Sequence, residues 1–329
     1  MKINDLVYGD EEITEKVLLD LIDSAPVQRL KGISQQGLPS EYHFRATFSR
    51  YEHSIGVLIL LRRFGAEIEE QISGLLHDIS HTAFSHVVDW IAGDPSKEDY
   101  QDSVHLNILE NSNIPEILLK YGFDYKKIAE IKSYSLLENE IPSVCADRLD
   151  YALREIKDFE SKENINLILN NFLNYKGEIV FSSSEAAEIF SRGYLKCNEE
   201  HWAAPETKAR YAILSNILKN AINKNIISFE DLKKTDKEVV NKLLDASDED
   251  INLKFELLRK GLELNDSLEG EEDSVELITK KRYIDPFVLV NDDLKRLSSL
   301  SKDYNDFLQC FLNASQSKFV KIRGFKNGS

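Results

Sequence analysis

Residues 75–81 read Leu-Leu-His-Asp-Ile-Ser-His, and this stretch decides more about the fold than any other part of the chain. Two further segments carry the same kinds of side chain, Arg50-Tyr-Glu-His-Ser-Ile-Gly56 and Cys145-Ala-Asp-Arg-Leu-Asp-Tyr151. Together the three segments offer two imidazoles and two carboxylates, from His53, His77, Asp78 and Asp147. Such a mixed nitrogen and oxygen set suits a divalent metal ion that binds a water, lowers its pKa and directs it at phosphorus.

The spacing of these four residues predicts a metal site that joins three helices. His77 and Asp78 are expected as neighbours on one helix, where their side chains diverge by about 100° and still reach an ion above the groove between them. His53 and Asp147 must then come from two other helices. Four protein ligands on an octahedral ion leave two positions open, and Mn, Fe, Co, Ni, Zn and Mg are all compatible with this ligand set.

Two simpler interpretations compete with this site. A single histidine on a helix is more often structural than functional, so the prediction depends on the ordered set of three segments. His77 and His81 are also four residues apart, which is the spacing of the paired histidines in zinc peptidases. In that chemistry the intervening acid is the longer Glu, whereas here it is Asp78.

The three segments, in this order, resemble the His…His-Asp…Asp signature of the HD superfamily of metal-dependent phosphohydrolases. The flanking residues are similar to the branch that contains the deoxynucleotide triphosphohydrolases, over about residues 20–155. The resemblance implies a mostly α-helical protein: an HD-domain helical core and a small C-terminal α+β extension. We place the core at residues 1–175 and the extension, packed on it as one unit, at residues 176–329.

The resemblance also implies roles for residues around the metal. It suggests that His81 is the general acid and that Asp78 and Arg50 take part in catalysis. It further implies a substrate pocket whose contacts are made by Arg50, Arg148, Tyr151, His86 and Arg192. Guanidinium groups suit phosphate oxygens because their paired N–H groups form bidentate contacts, although each arginine could instead pair with a nearby carboxylate.

Three departures from the related enzymes bear on the substrate. Ser80 stands where a glycine is usual, which is a mild change. The second catalytic histidine of that branch has no counterpart before Ser103, and His105 lies nearby but out of register. Glu199 and Glu200 occupy positions where cations are expected. Two carboxylates there would repel a triphosphate.

Composition limits the classes of partner. The chain has 329 residues and a formal net charge of −16, which argues against a nucleic-acid ligand. Residues 26–64 are locally basic, with six basic and two acidic side chains, and favour a small anionic substrate. No run approaches about 18 apolar residues, so a membrane span is not expected. The three scattered cysteines indicate free thiols in a reducing, cytoplasmic compartment, and a homo-oligomer is compatible with the sequence.

Hydrophobic periodicity predicts helices over residues 12–24, 53–64, 69–77 and 141–159, the last carrying the third segment. Strands are expected at 178–182 and 282–290, with 319–323 pairing to the latter. The acidic residues 264–274 are expected to form a solvated loop.

These expectations combine into a functional hypothesis. The protein is expected to hydrolyse a small phosphate ester, most simply a nucleotide, with the help of one divalent metal ion. Within enzymes, the choice lies between a triphosphohydrolase of deoxynucleotides and a nucleotide phosphatase. Outside enzymes, the alternative is a nucleotide-binding sensor that has kept the metal and has weak or no turnover.

Overall fold

The structure is a computed structural model that describes residues 1–43, 45, 47–314 and 318–323. Helices dominate its first half. They are α1 (Lys16–Ile22), α2 (Ala25–Arg29), α3 (Arg50–Arg63), α4 (Ile68–Leu76), α5 (Asp89–Ala92), α6 (Tyr100–Glu110), α7 (Ile114–Lys120), α8 (Tyr125–Ile128), α9 (Ala146–Ile156) and α10 (Lys162–Leu169). Short 3₁₀ turns link several of them, including one at Ser85–Val88.

The second half mixes helices with short strands. Its helices are α11 (Ser184–Cys197), α12 (Pro205–Asn223), α13 (Asp236–Asp245), α14 (Glu249–Arg259), α15 (Leu297–Leu300) and α16 (Lys302–Asn313). A π-helical segment, Asn198–Trp202, follows α11 directly. The mostly α-helical class with strands in the C-terminal region is therefore confirmed. None of the described helices combines the length and apolar content needed to cross a membrane.

Nine strands of the described chain form three small sheets. They are β1 (Lys2–Asp5), β2 (Gly9–Glu12), β3 (Phe172–Tyr175), β4 (Glu178–Phe181), β5 (Glu263–Ser267), β6 (Ser274–Leu277), β7 (Phe287–Val290), β8 (Asp293–Arg296) and β9 (Lys318–Arg323). Strands β1 and β2 form a hairpin, the second sheet has the order β3-β4-β7-β8, and the third has the order β5-β9-β6. Only the β4–β7 pair is parallel.

Helix α3 is the central element of the core. Ser49 and Glu52 form a capping box that fixes its first turn, and residues 53–61 are all buried. It packs against α4 and α9. At Gly56 a Cβ atom would lie 1.8 Å from Asp150 Oδ1, so only glycine permits the close approach of α3 to α9. This contact brings the first and third sequence segments together.

The apolar interior forms two clusters. The larger surrounds α3, α4, α9 and α11, and the smaller surrounds α12, α14 and the β5-β9-β6 sheet. Both clusters include residues from either side of position 175, which agrees with a C-terminal part that packs on the core.

Several sequence predictions fail in their details. The helix expected over residues 12–24 is shorter, because β2 occupies Gly9–Glu12 and α1 begins at Lys16. The helix expected over 141–159 is confined to Ala146–Ile156, in keeping with Pro142 ahead of it. His77, expected within a helix, caps the C-terminus of α4, and Asp78 lies in the turn after it.

The sheet pairing in the C-terminal part also differs from the prediction. The loop predicted at 264–274 is interrupted, because residues 263–267 form strand β5 and strand β6 begins at Ser274. Strand β9 pairs with these two strands, and not with the segment at 282–290. Val320 of β9 is fully buried in the smaller cluster, which gives this pairing its apolar face.

Candidate metal centre

Three predicted ligands meet at one point where α3, the end of α4 and α9 come together. His53 Nε2 lies 2.9 Å from Asp147 Oδ1 and 3.2 Å from His77 Nε2. His77 Nε2 lies 3.6 Å from Asp147 Oδ1. Neighbouring ligand atoms of an octahedral ion, each at about 2.1 Å from it, are about 3 Å apart. The three atoms therefore have the mutual spacing that a shared divalent ion requires.

The hydrogen bonds of the two histidines fix which ring nitrogens face the centre. His77 Nδ1 donates to the carbonyl oxygen of Gly74 at 2.7 Å, and His53 Nδ1 donates to Asp150 Oδ2 at 2.7 Å. In the neutral rings, both Nε2 atoms then carry lone pairs. Two lone pairs 3.2 Å apart, beside the Asp147 carboxylate, repel one another unless a cation lies between them. The residues thus fit a divalent ion.

Asp78 faces the same cluster from slightly further away. Its Oδ1 lies 3.5 Å from His77 Nε2, and its Oδ2 lies 3.8 Å from His53 Nε2. Arg50 Nη1 donates to Oδ2 at 2.9 Å. Asp78 is therefore oriented towards the centre and held there, and its role as the fourth ligand stays a prediction.

The electrostatics of the cluster favour positive charge. Burial alone would lower the pKa of His53, but the carboxylates of Asp147 and Asp150 outweigh it and raise that pKa to about 9. The pKa of His77 is also raised, because Asp78 and Asp147 outweigh its burial. Burial would raise the pKa of Asp78, yet Arg50 and the histidines hold it well below its usual range. A cation between the rings is thus strongly stabilised.

Asp150 connects the centre to the rest of the core. Its Oδ2 accepts from His53 Nδ1 and also from Arg154 Nε at 2.8 Å, while Arg154 Nη2 reaches Asp5 of the N-terminal hairpin at 2.7 Å. A carboxylate behind a ligating histidine fixes the ring and raises its basicity. In this geometry Asp150 supports the His53 ring from behind.

Asp150→Asn should weaken metal binding by about 10–100-fold, because the amide accepts the same hydrogen bond but removes the charge behind His53. The affinity is measured by competition with a chelator of known strength. Asp158→Asn is a matched control, since Asp158 is exposed just beyond α9. Equal affinities in Asp150→Asn and the wild type would show that His53 does not need this carboxylate.

Arg50 lies in a buried cradle that leaves its side chain almost no freedom. Its Nε donates to Ser85 Oγ at 3.0 Å and its Nη2 to the carbonyl oxygen of Gln35 at 3.3 Å, in addition to its bond with Asp78. Helix α3 begins at Arg50, earlier than the predicted 53–64, and so places Arg50 one turn before His53. Its structural task is to orient Asp78, and a direct contact with substrate stays a prediction.

Four further histidines line the cavity: His81, His86, His105 and His201. His81 Nε2 lies 3.2 Å from Asp78 Oδ1, and the His81 and His86 rings are edge to face, 5.0 Å apart. The sequence placed His81 on the same helical face as His77, but residues 77–81 form turns rather than a helix. This backbone also removes the paired-histidine helix that the zinc-peptidase interpretation needs.

His105 belongs to this cavity although the sequence placed it out of register. It is 4% exposed, and its Nδ1 lies 3.1 Å from Ser80 Oγ. Gln101 contacts the same hydroxyl at 2.7 Å from one turn earlier on α6. The i, i+4 spacing of Gln101 and His105 was the signal available in the sequence.

The centre opens into a cavity of about 850 Å³. Arg148 and Tyr151 line it, as predicted, but Arg148 Nη2 is paired with Glu138 at 2.8 Å, which is the ion-pair alternative left open above. Tyr151 shares a hydrogen bond of 2.5 Å with the hydroxyl of Tyr194. The cavity also receives residues that the sequence did not single out, namely Glu98, Glu155, His201, Trp202, Thr207, Lys208, Lys280 and Arg282.

Two sequence expectations about this cavity are not met. Arg192 is not among its lining residues; it pairs with Glu188 at 2.7 Å and lies over the Phe307 ring. Glu199 and Glu200 are exposed and do not line the cavity either. The π-helical turn after α11 places them on the surface, so the argument that they repel a triphosphate loses its basis.

The chain matches the family model described as HD domain over residues 50–244. It is 36% identical over 330 residues to the uncharacterized protein YdhJ of Bacillus subtilis, spanning 98% of this chain and 99% of that protein. It is also 36% identical over 211 residues to the metal-dependent phosphohydrolase cns2 of Cordyceps militaris, spanning 62% of this chain and 61% of that protein.

More distant comparisons extend this pattern. The deoxynucleoside triphosphate triphosphohydrolase SAMHD1 homolog of Dictyostelium discoideum is 29% identical over 189 residues, spanning 46% of this chain and 35% of that protein. The solved structure of a phosphohydrolase from Bacteroides thetaiotaomicron superposes with a TM-score of 0.68 at 18% identity, covering 97% of this chain and 99% of that one. The latter likeness concerns the fold.

Proposed function

The chain belongs to the HD domain family, and from this premise we propose that it is a metal-dependent phosphohydrolase acting on a small phosphate ester, with a nucleotide as substrate. The observation that carries the proposal is the pair of Nε2 atoms 3.2 Å apart beside Asp147, at the wall of the cavity. The names of the Cordyceps and Dictyostelium relatives support the same class of reaction.

In this proposal each side chain has a separate task. His53, His77, Asp78 and Asp147 hold the divalent ion, which when bound supplies a Lewis acid and lowers the pKa of a coordinated water. Arg50 holds Asp78 in place and adds positive charge near the scissile phosphate. His81, beside Asp78, would donate a hydrogen bond to the phosphoryl oxygens or the leaving group.

The shape of the cavity supports a nucleotide. Its volume lies within the usual range for a small-molecule site, about 300–1,000 Å³. Tyr151, Tyr194 and Trp202 form an aromatic group with ring centroids 5.0–6.0 Å apart. Nearby, Glu155 accepts hydrogen bonds from Trp202 and His201. A planar base and a sugar have both apolar and hydrogen-bonding partners on these walls.

A second candidate is a nucleotide-binding sensor with weak or no turnover. It is favoured by Arg148, whose guanidinium already pairs with Glu138 and so contributes less charge to a phosphate. His105 argues against the sensor, because it brings a further imidazole into the cavity. The two candidates differ in whether product forms.

A panel of nucleoside mono-, di- and triphosphates, incubated with the protein loaded with Mn²⁺, Mg²⁺, Co²⁺, Ni²⁺, Fe²⁺ or Zn²⁺, should yield product with at least one combination. Release of orthophosphate from a nucleoside monophosphate identifies a phosphomonoesterase, and release of tripolyphosphate with a nucleoside identifies a triphosphohydrolase. Asp147→Ala is the inactive control, because it removes an oxygen of the proposed ligand set. Tight nucleotide binding without any product in the whole panel would favour the sensor instead.

A further inference from the structure

One wall of the cavity carries a group of cations around a single buried carboxylate. Glu98 Oε1 accepts from Lys208 Nζ at 2.9 Å, and Glu98 Oε2 pairs with Arg282. The side chains of Glu98 and Lys208 are each 2% exposed, and that of Arg282 is 18% exposed. Lys280 lines the same wall. This wall is assembled from three parts of the chain that are distant in sequence.

The donors on this wall are only partly used. Arg282 donates to Glu98 through Nη2, and among the described residues its Nε and Nη1 form no further hydrogen bond. Lys208 makes one hydrogen bond through an ammonium that has three donors. The hydroxyl of Thr207, which also lines the cavity and is 3% exposed, is buried without a partner in the described structure. Unused buried donors call for an acceptor.

The backbone of helix α12 adds to the positive potential at this wall. Helix α12 spans 19 residues, and Thr207 and Lys208 lie in its first turn, so its N-terminus is at this wall. Its N-cap residue, Ala204, offers no side-chain acceptor to the first N–H groups. The N-terminus of a long helix carries about half a positive charge, which attracts anions.

Acidic groups also lie near this wall. Burial raises the pKa of Asp102 and outweighs the opposing effects of Lys132 and Lys280. Asp99 is a further acidic neighbour of Lys280. Burial, followed by the charge of Arg282, lowers the pKa of Lys280. The cations are therefore close enough to repel one another, and a bound anion would relieve that repulsion.

The wall also lies close to the metal centre's neighbours. Arg282 and Glu98 line the same cavity as Tyr151, Tyr194 and His86. His86 is in ring contact with His81, and the Tyr151 ring is 6.2 Å from that of His53. The centre and this wall thus face the same cavity.

We propose that Thr207, Lys208, Lys280 and Arg282, the α12 anion site, bind a second phosphoryl group of the substrate while the first is at the metal centre. The inference rests on the proposed function and deepens it, because it selects substrates with more than one phosphoryl group, such as nucleoside di- or triphosphates, over monophosphates. It reverses the sequence-based expectation, which depended on Glu199 and Glu200.

The test compares a nucleoside monophosphate and diphosphate of the same base on wild type, Arg282→Gln and Lys280→Met. Arg282→Gln should raise KM for the diphosphate by about 10-fold or more, because a hydrogen bond to a charged group is lost. KM for the monophosphate, kcat and metal content should stay within about twofold. Arg259→Gln is the matched control, since Arg259 is not among the cavity-lining residues.

The outcomes separate this inference from the proposed function. If wild type turns over phosphate esters but both variants keep its KM for the diphosphate, the α12 anion site is wrong and the phosphohydrolase stands. If nothing is turned over, calorimetry with the two nucleotides still decides: tighter diphosphate binding that Arg282→Gln removes supports the site. Equal binding of both nucleotides to the wild type overturns it. Lys280→Met is the second variant, so that a general loss of structure in Arg282→Gln would not leave the site untested.

Discussion

Asp147→Ala should lose both its stoichiometric metal and its turnover. Asp147 Oδ1 lies 2.9 Å from His53 Nε2 and 3.6 Å from His77 Nε2, so its removal leaves two imidazole lone pairs with no anionic ligand on that side. Asp78→Ala should have the same effect through the opposite side of the cluster. Metal content is measured by elemental analysis of protein purified with the ion present, and turnover with the best substrate of the panel.

The two variants differ in their risk to folding. Asp78→Ala leaves Arg50 buried at 3% exposure without its charge partner, a loss that typically costs about 3–5 kcal/mol. Asp147 is 24% exposed on its side chain and leaves no buried cation behind. Asp158→Ala is the control for general effects of removing an aspartate. Stoichiometric metal in a folded Asp147→Ala or Asp78→Ala protein would show that the removed carboxylate is not a ligand.

The convergence of His53, His77 and Asp147 could be predicted because metal chemistry restricts residue types strongly, and the residues stand in short local segments. His53, His77 and Asp147 do converge, as expected from their order along the chain. Their supporting contacts were only partly accessible. Gly56 matters because Asp150 lies against it, a relation across 94 positions that no local pattern encodes.

The far wall of the cavity could not be predicted for the same reason. Glu98 meets Lys208 across 110 positions and Arg282 across 184. A lysine or arginine in those segments looks, from its neighbours alone, like an ordinary surface charge. Only the packing of α12 and of the segment before β7 against the core makes these cations part of the cavity.

The secondary structure could likewise be predicted only in part. Long apolar helices such as α3 follow from hydrophobic periodicity, and the strand expected at 178–182 is present at Glu178–Phe181. The loop predicted at 264–274 covers most of β5 and only the first residue of β6, because residues 263–267 are largely acidic or polar and mostly exposed. Their pairing with β9 joins segments about 50 residues apart. Strand partners at such separations are chosen by tertiary packing rather than by local sequence.

His81 occupies a position that separates binding of the metal from chemistry. It is 3% exposed, its Nε2 lies 3.2 Å from Asp78 Oδ1, and its ring rests against His86. Burial, followed by the charge of Arg50, lowers its pKa to about 3, so the ring is neutral at pH 7 and carries one N–H. That N–H can turn from Asp78 to a phosphoryl oxygen or leaving group without disturbing the proposed metal ligands.

His81→Ala should therefore retain stoichiometric metal and lose about 10²–10³-fold in kcat, the usual contribution of a positioned hydrogen-bond donor. Its KM should change far less, because the phosphate is still held by the ion and by the cations of the cavity. The comparison variant is His105→Ala, a buried histidine of the same cavity that contacts Ser80 instead of Asp78. A larger loss of rate in His105→Ala would transfer the donor role to His105. Loss of the metal from His81→Ala would make His81 a ligand, and the division of labour between His81 and Asp78 would then be wrong.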